Sequence, residues 1–222
     1  MKIIVSESTD AVFNLSAEKY LLTERPGEDV LFLYINERSV IVGRNQNPES
    51  EADIEFCLQN NIPVLKRLSG GGTVYHDTGN INFCFIKDKN DDLVLDTDFL
   101  TPIICALDKF GIKAEAGKRK DLWLGSKKIS GTASHITRTR HLFHGTILYD
   151  ADLLMLEKAL TGNVSARGKS VASVKSEVTN IKDHISGRNL STFEFFGELK
   201  DRLMEYYLLE EIETIGKENS GK

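Results

Sequence analysis

Residues 67–86 read RLSGGGTVYHDTGNINFCFI, and the glycines at 70, 71 and 72 limit this chain more than any other feature. Three adjacent residues without Cβ atoms lose too much conformational freedom to sit inside a helix or strand, so the chain must loop there. Strand-like runs flank the loop, PVLKR before it and TVYHD and INFCFI after it. A backbone without side chains can approach a ligand closely and aim several N–H groups at an anion. Ser69 and Thr73 add hydroxyls, and Arg67 adds a planar cationic fork suited to phosphate. With His76-Asp77 following, these neighbours favour anion binding over a plain hairpin loop.

The rest of the chain mixes strands and helices without regular alternation. KIIVS at 2–6 predicts a strand, and Asp10 caps a helix over about 11–24 with Val12, Leu15, Ala17, Leu21 and Leu22 as its apolar members. DVLFLYIN and SVIVGR read as a hairpin turning at Glu37-Arg38, followed by a helix over about 50–59. A helix over about 98–110 ends at Gly111. IKAEA, DLWLG, KKISGTAS and HLFHGTILYD predict strands, and short helices follow over about 151–160 and 177–184. A last helix, about 191–209, is capped by Ser191 and carries Phe195, Leu199, Leu203 and Tyr206 on one face. From Gly216 the composition is linker-like. This order predicts an α+β fold with mixed or antiparallel sheets flanked by helices, in one domain over 1–222.

Composition removes several classes of function. No apolar run approaches the roughly 18 residues of a membrane span, and Glu7 and Asp10 come too early for a secretory signal. The net charge of −5 disfavours a general nucleic-acid binder. Cys57, Cys84 and Cys105 are odd in number and lack CxxC spacing, which argues for a reducing compartment and against a disulfide frame or zinc ribbon. All three fall in apolar strand or helix positions and read as inert core thiols.

Two further stretches carry polar chemistry. In DLWLGSKKISGTA, Lys128 opens a strand after a tight Gly-Ser turn, and alternation puts Lys128, Ser130 and Thr132 on one face. Its ammonium can reach a pocket bounded by the glycine loop, although a solvated edge strand also favours lysine. His135, His141 and His144 cluster without standard metal spacing, and His144-Gly145-Thr146 reads as ligand-facing. A sequence at 162–170 mimics a P-loop but has five residues between its glycines where the P-loop has four. Lys118-Arg119-Lys120, Lys127-Lys128 and residues 138–140 form a candidate basic belt around the site.

Taken in order, GRNQNP at 43–48, the 67–77 loop, Asp121-Leu122, KISGTA at 128–133, His144-Gly145-Thr146 and SVKSEVTN at 173–180 closely resemble lipoate–protein ligase, of the lipoate/biotin ligase superfamily. The resemblance runs from the first strand to about Ile181 and implies a biotin/lipoate ligase-like catalytic domain. It implies that lipoate and MgATP form lipoyl-AMP, with lipoyl then passing to a lysine of a lipoyl domain in 2-oxoacid dehydrogenase complexes or of the glycine-cleavage H protein. It makes Lys128 the catalytic lysine, contacting lipoate carboxyl and α-phosphate, and puts Arg67, Gly72, Thr73, Val74 and Tyr75 along the ATP and lipoyl-adenylate site. Ser69, Gly71, His76, Asp121 and His144 join them as binding residues. Val42, Val74 and Phe83 are the expected walls of an apolar slot for the lipoyl tail. Mg is expected with ATP, its ligands unassigned, and no resident metal, nucleic acid or membrane partner is expected; the compartment is cytoplasmic. Many members of this family carry a smaller accessory domain, in some as a separate chain; it is expected to be absent here, either because the sequence is cut short or because a separate chain supplies it. The rivals are a cysteine-dependent octanoyl or lipoyl transferase, disfavoured because no cysteine follows Cys105, a non-catalytic lipoyl-AMP-binding module, and, more weakly, a biotin ligase.

Overall fold

A computed structural model describes residues 1–89, 98–166, 168–174, 176–185 and 187–216. Arg167 of the P-loop mimic, Lys175 of the SVKSEVTN motif and the tail from 217 lie outside the described residues.

The chain runs β1 (Lys2–Ser6), α1 (Ala11–Glu24), β2 (Val30–Ile35), β3 (Ser39–Val42), α2 (Pro48–Glu51), α3 (Ile54–Gln59), β4 (Val64–Lys66), β5 (Val74–His76) and β6 (Asn80–Asp88). It continues α4 (Thr101–Asp108), β7 (Glu115–Ala116), β8 (Leu122–Leu124), β9 (Lys127–Ser130), β10 (Thr132–Ile136), β11 (Arg140–Leu148), α5 (Leu153–Ala159), α6 (Thr192–Tyr207) and β12 (Glu213–Ile215), with 3-10 turns at Val164–Ala166 and Ile181–His184. A six-stranded sheet has the order β10-β11-β6-β2-β1-β12, and two three-stranded sheets have the orders β4-β3-β5 and β7-β8-β9. The large sheet is mixed, antiparallel from β10 to β2 and parallel across β1 and β12. This is the α+β class that the sequence predicts. One cluster joins the sheet to α4 and α6 through Phe83, Phe85, Ile103, Leu107, Phe195 and Leu199. A second joins it to α1 through Leu21, Leu22, Phe32 and Cys84. Burying a side chain of this size contributes about 1.5–3 kcal/mol.

Caps fix the helices that the sequence locates best. Asp10 accepts from Val12 and Phe13 N–H, and Ser191 forms a full capping box with Glu194. Val12 and Tyr206, expected on buried faces, are 56% and 44% exposed.

Four expectations about pairing or helicity fail. β2 and β3 are not a hairpin: β2 pairs with β1 and β6, whereas β3 pairs with β4 and β5. Both strands are buried along their whole length, as strands covered on two faces are, so each takes its neighbours from elsewhere. The helix expected over 50–59 breaks at Ala52-Asp53, where Asp53 caps a new start by accepting from Phe56 N–H at 2.9 Å. KKISGTAS is two strands in two sheets, handed over at Gly131, so the expected common face of Lys128, Ser130 and Thr132 does not exist. Gly131 is tied to β11 at this point, its N–H donating to Thr146 Oγ1 at 3.1 Å and its carbonyl accepting Thr146 N–H at 3.0 Å. Residues 177–180 are not helical. Their backbone pairs with Lys128 instead, whose N–H donates to Glu177 O and whose carbonyl accepts Thr179 N–H. β12 has no counterpart in the sequence reading.

Candidate active site

Two cavities meet around Lys128. One, about 290 Å³, lies against the large sheet and is walled by Tyr34, Ile41, Asn82, His144 and the glycine loop. The other, about 520 Å³, lies on the α5 side and is walled by Leu148, Leu153, Leu156, Val178 and Tyr75. Thr73, Val74, Lys128, Gly131, Thr146, Ser173 and Val174 line both. The sheet change at Gly131 is what puts Lys128 on this boundary.

Arg67 shapes the glycine loop from behind. Its Nη1 donates to Ile41 O at 2.9 Å, and its Nη2 donates to Gly70 O and Gly72 O at 2.6 Å each. Its Nε donates to Ser69 Oγ at 2.8 Å. The fork expected to grip phosphate is therefore engaged with the protein's own backbone. Burial pulls this guanidinium down to about 10, with Glu18 and Tyr34 opposing. A trans peptide sets its N–H opposite its C=O. Drawing the carbonyls of Gly70 and Gly72 toward Arg67 thus turns the N–H groups of Gly71 and Thr73 the other way. Thr73 N–H meets Ser173 Oγ at 3.0 Å. Gly71 has φ +78°, the left-handed region that glycine enters freely, and its position lets Gly43 pack against its carbonyl, where a Cβ would stand 2.2 Å away.

A buried chain of side chains braces Arg67. Ser69 Oγ lies 2.6 Å from His144 Nε2, and His144 Nδ1 lies 2.9 Å from both oxygens of Glu18. Tyr34 Oη also donates to Glu18 at 2.9 Å. Burial pushes Glu18 up, but the charge and hydrogen bond of His144, with the hydrogen bonds of Tyr34 and Cys84, outweigh it and hold the carboxyl below its usual range. Glu18, Cys84 and His144 place ligand atoms within 4.8 Å of one another. Burial drives the Cys84 thiol well above its ordinary value, so it stays protonated and serves Glu18 as a hydrogen-bond donor.

His76 is neutral. Burial, then Arg67 and His144, bring it down to about 3. Asn14 donates to Asn36 Oδ1, which leaves Asn36 Nδ2 to donate to His76 Nδ1, so the proton sits on Nε2, without a partner among the described residues. Asp121 Oδ2 lies 3.2 Å from Lys128 Nζ. Burial raises Asp121, but the Trp123 hydrogen bond and then Lys128 lower it below its usual range, so it is a carboxylate holding the ammonium in place.

The structure thus gathers Arg67, Gly71, Gly72, Thr73, Val74, His76, Asp121, Lys128 and His144 around the sheet-side cavity. Ser69 is fully buried behind the loop, and Tyr75 turns toward the α5-side cavity, its hydroxyl raised to about 12 by burial and then by Asp77. Of the walls expected for an apolar slot, only Val74 lines it; Val42 and Phe83 are core, and Leu15, Tyr34 and Ile41 take their place. The basic belt shrinks as well. Arg140 is buried and donates to the carbonyls of Leu21, Arg25 and Glu28, while Lys127 pairs with Glu177 at 2.9 Å. Sequence reasoning gave no role to Glu18, which has no distinguishing local pattern, nor to Gln46 and Ser173, although both lie in the GRNQNP and SVKSEVTN motifs.

The α+β scaffold thus sets a lysine between two cavities, beside a loop of outward-turned amides. The family model for the lipoyl protein ligase A/B catalytic domain matches residues 10–204, and the chain belongs to that family. It is 40% identical over 190 residues to lipoate–protein ligase 1 of Staphylococcus aureus, covering 84% of this chain and 58% of that protein. It therefore spans little more than half the length of that curated relative. Among solved structures it is similar to the bi-partite lipoate protein ligase of Thermoplasma acidophilum, reported with its E2 lipoyl domain (26% identity, TM-score 0.80, 97% of this chain and 87% of that one). It is also similar to LipL1 of P. falciparum in complex with lipoate (27% identity, TM-score 0.77, 97% and 65% of the two chains).

Proposed function

We propose that this chain activates lipoate with MgATP and passes the lipoyl group to a lysine of an acceptor protein. The observation that carries this reading is the position of Lys128, a cation at the meeting point of two cavities and beside the amides of the glycine loop. The sheet-side cavity, with its aliphatic and aromatic wall, suits the acyl tail, and the α5-side cavity suits the nucleotide.

In the first step a carboxylate oxygen of lipoate attacks the α-phosphorus of ATP, and the bond to pyrophosphate breaks. Both reactants are anionic. One ammonium between them offsets their repulsion and keeps the attacking oxygen in line, while Gly71 N–H faces the developing charge. In the second step the acceptor amine attacks the acyl carbon and AMP leaves. That amine must first lose a proton from a resting pKa of about 10.4. Both ring nitrogens of His144 are engaged with Glu18 and Ser69, so His144 acts here by holding the loop.

The acceptors we propose are lipoyl domains of 2-oxoacid dehydrogenase complexes and the glycine-cleavage H protein, met in the cytoplasm, with Mg arriving as part of MgATP. Residues 1–222 act as the catalytic domain of this reaction. The cysteine-transferase alternative fits poorly, because none of the three cysteines lines either cavity and Cys84 is buried and protonated. A two-stage assay tests the proposal: lipoate-dependent release of pyrophosphate from ATP, then transfer from supplied lipoyl-AMP to a lipoyl domain. Transfer without activation would mean that a further piece drives the first step. Neither step would leave a lipoyl-AMP-binding module.

A further inference from the structure

Residues 171–174 cross the glycine loop, and a single hydroxyl sits at the crossing. Ser173 Oγ accepts Thr73 N–H at 3.0 Å and Gln46 Nε2–H at 3.0 Å. The Gln46 amide has a fixed orientation. Its Oε1 accepts Gly43 N–H and Thr73 Oγ1–H, and its Nε2 donates to Val171 O, and neither a backbone amide nor a backbone carbonyl can exchange roles. A serine hydroxyl has two acceptor lone pairs and one donor proton. Both lone pairs of Ser173 are filled, so its proton must point elsewhere, and it has no acceptor among the described residues. Ser173 lines both cavities, as Lys128 does. Gly72 lets the crossing come this close, since a Cβ there would lie 3.0 Å from Ser173 Oγ. The Ser173 N–H donates to Glu51 Oε2 at 3.1 Å, which fixes the serine from its other side.

We propose that Ser173 donates its hydroxyl proton to an anionic oxygen of the bound acyl-phosphate group, and that Gln46, by donating to Ser173 Oγ, aims that proton into the cavity. This rests on the ligase reading above. Ser173 is then a binding residue of the reacting group and Gln46 a positioning residue that acts through it.

The test measures binding by calorimetry with two probes. Lipoyl sulfamoyl adenosine is an unreactive anionic mimic of lipoyl-AMP, and lipoamide is a neutral ligand of the tail cavity alone. Ser173→Ala is expected to weaken the sulfamoyl probe about 10- to 100-fold, the range of one hydrogen bond to a charged group, and to leave lipoamide within about twofold. Gln46→Glu offers Ser173 a carboxylate and turns its proton inward, so it is expected to weaken the sulfamoyl probe alone, with the double variant no weaker than the worse single one. Equal weakening of both probes by Ser173→Ala would mean that the hydroxyl only holds the crossing segment, and would overturn the proposal. So would no weakening of either, or losses that add fully in the double variant. If the unaltered chain bound neither probe, the ligase reading itself would fall, and this proposal with it.

Discussion

The glycine loop and the segment that crosses it are built on opposite plans. The loop, residues 67–73, is held from inside by Arg67 and, through Ser69, by the buried pair of His144 and Glu18. The crossing segment, residues 171–174, is held from its surface by hydrogen bonds to Gln46, Thr73, Glu51 and Asn45 O, and its Val171 and Val174 are 59% and 64% exposed. Two cations show the same contrast. Arg67 is buried and makes four hydrogen bonds to its own protein, whereas Lys128 pairs among the described residues with one carboxylate and faces both cavities. In this site the strongly anchored cation builds the surface and the lightly anchored one is left to act on it.

The contrast breaks most severely at Arg67. Arg67→Met leaves the carbonyls of Ile41, Gly70 and Gly72 without their donor. At about 1–3 kcal/mol per buried unsatisfied group, partly offset by relaxation, the expected loss is on the order of 4 kcal/mol, read as a shift in the urea midpoint. A midpoint within experimental error of the parent would contradict the bracing role. Lys128→Ala should do the reverse. It is expected to lose about 2.7–4 kcal/mol of transition-state stabilisation in lipoyl transfer while the urea midpoint barely moves. Near-normal transfer would remove Lys128 from the mechanism.

Acid sharpens the comparison more gently. His76 is buried and neutral with its pKa down at about 3, so below its ordinary value near 6.5 the unfolded chain binds a proton that the folded chain does not. Its contribution is intact above pH 6.5 and is lost as pH falls toward 3, by up to about 1.4 kcal/mol per pH unit. Glu18 adds to the loss further down, because its depressed pKa makes the folded state resist protonation only above its own titration. His76→Gln should flatten the decline between pH 6.5 and 5 in denaturation measured across that range; an unchanged slope would assign it to other groups. The smallest effect falls on the crossing. Gly72→Ala puts a methyl 3.0 Å from Ser173 Oγ and should cost about 1 kcal/mol, with faster amide exchange at Ser173 and unchanged exchange at Leu31 in the sheet. Equal acceleration at both amides would mean that the strain spreads through the fold.

Local signals made much of this readable in advance. Asp10 and Ser191 mark their helices because a cap is a property of a few adjacent residues, and the glycine run stands out by chemistry alone, whereas Lys128 stands out only through the motif order that carries the family resemblance. Pairing was less readable. Nothing in VLFLYI or SVIV says which sheet each strand joins, because strands buried on both faces look alike whatever their neighbours. Gly131 gave no sign that one strand-like run serves two sheets. The bracing role of Arg67 was not legible, because its residue type suits a phosphate and a set of carbonyls equally well, and only the fold shows the carbonyls of Ile41, Gly70 and Gly72 beside it.

Lys128 shares its backbone hydrogen bonds with Glu177 and Thr179, a few residues past the segment that crosses the loop. The residues that follow the crossing segment are therefore tied to the strand that carries the lysine. At the Val171 end the bonds run instead through Gln46 and Asn45. One short strand therefore sets the place of the cation and, through the same backbone, the place of the chain that follows the crossing.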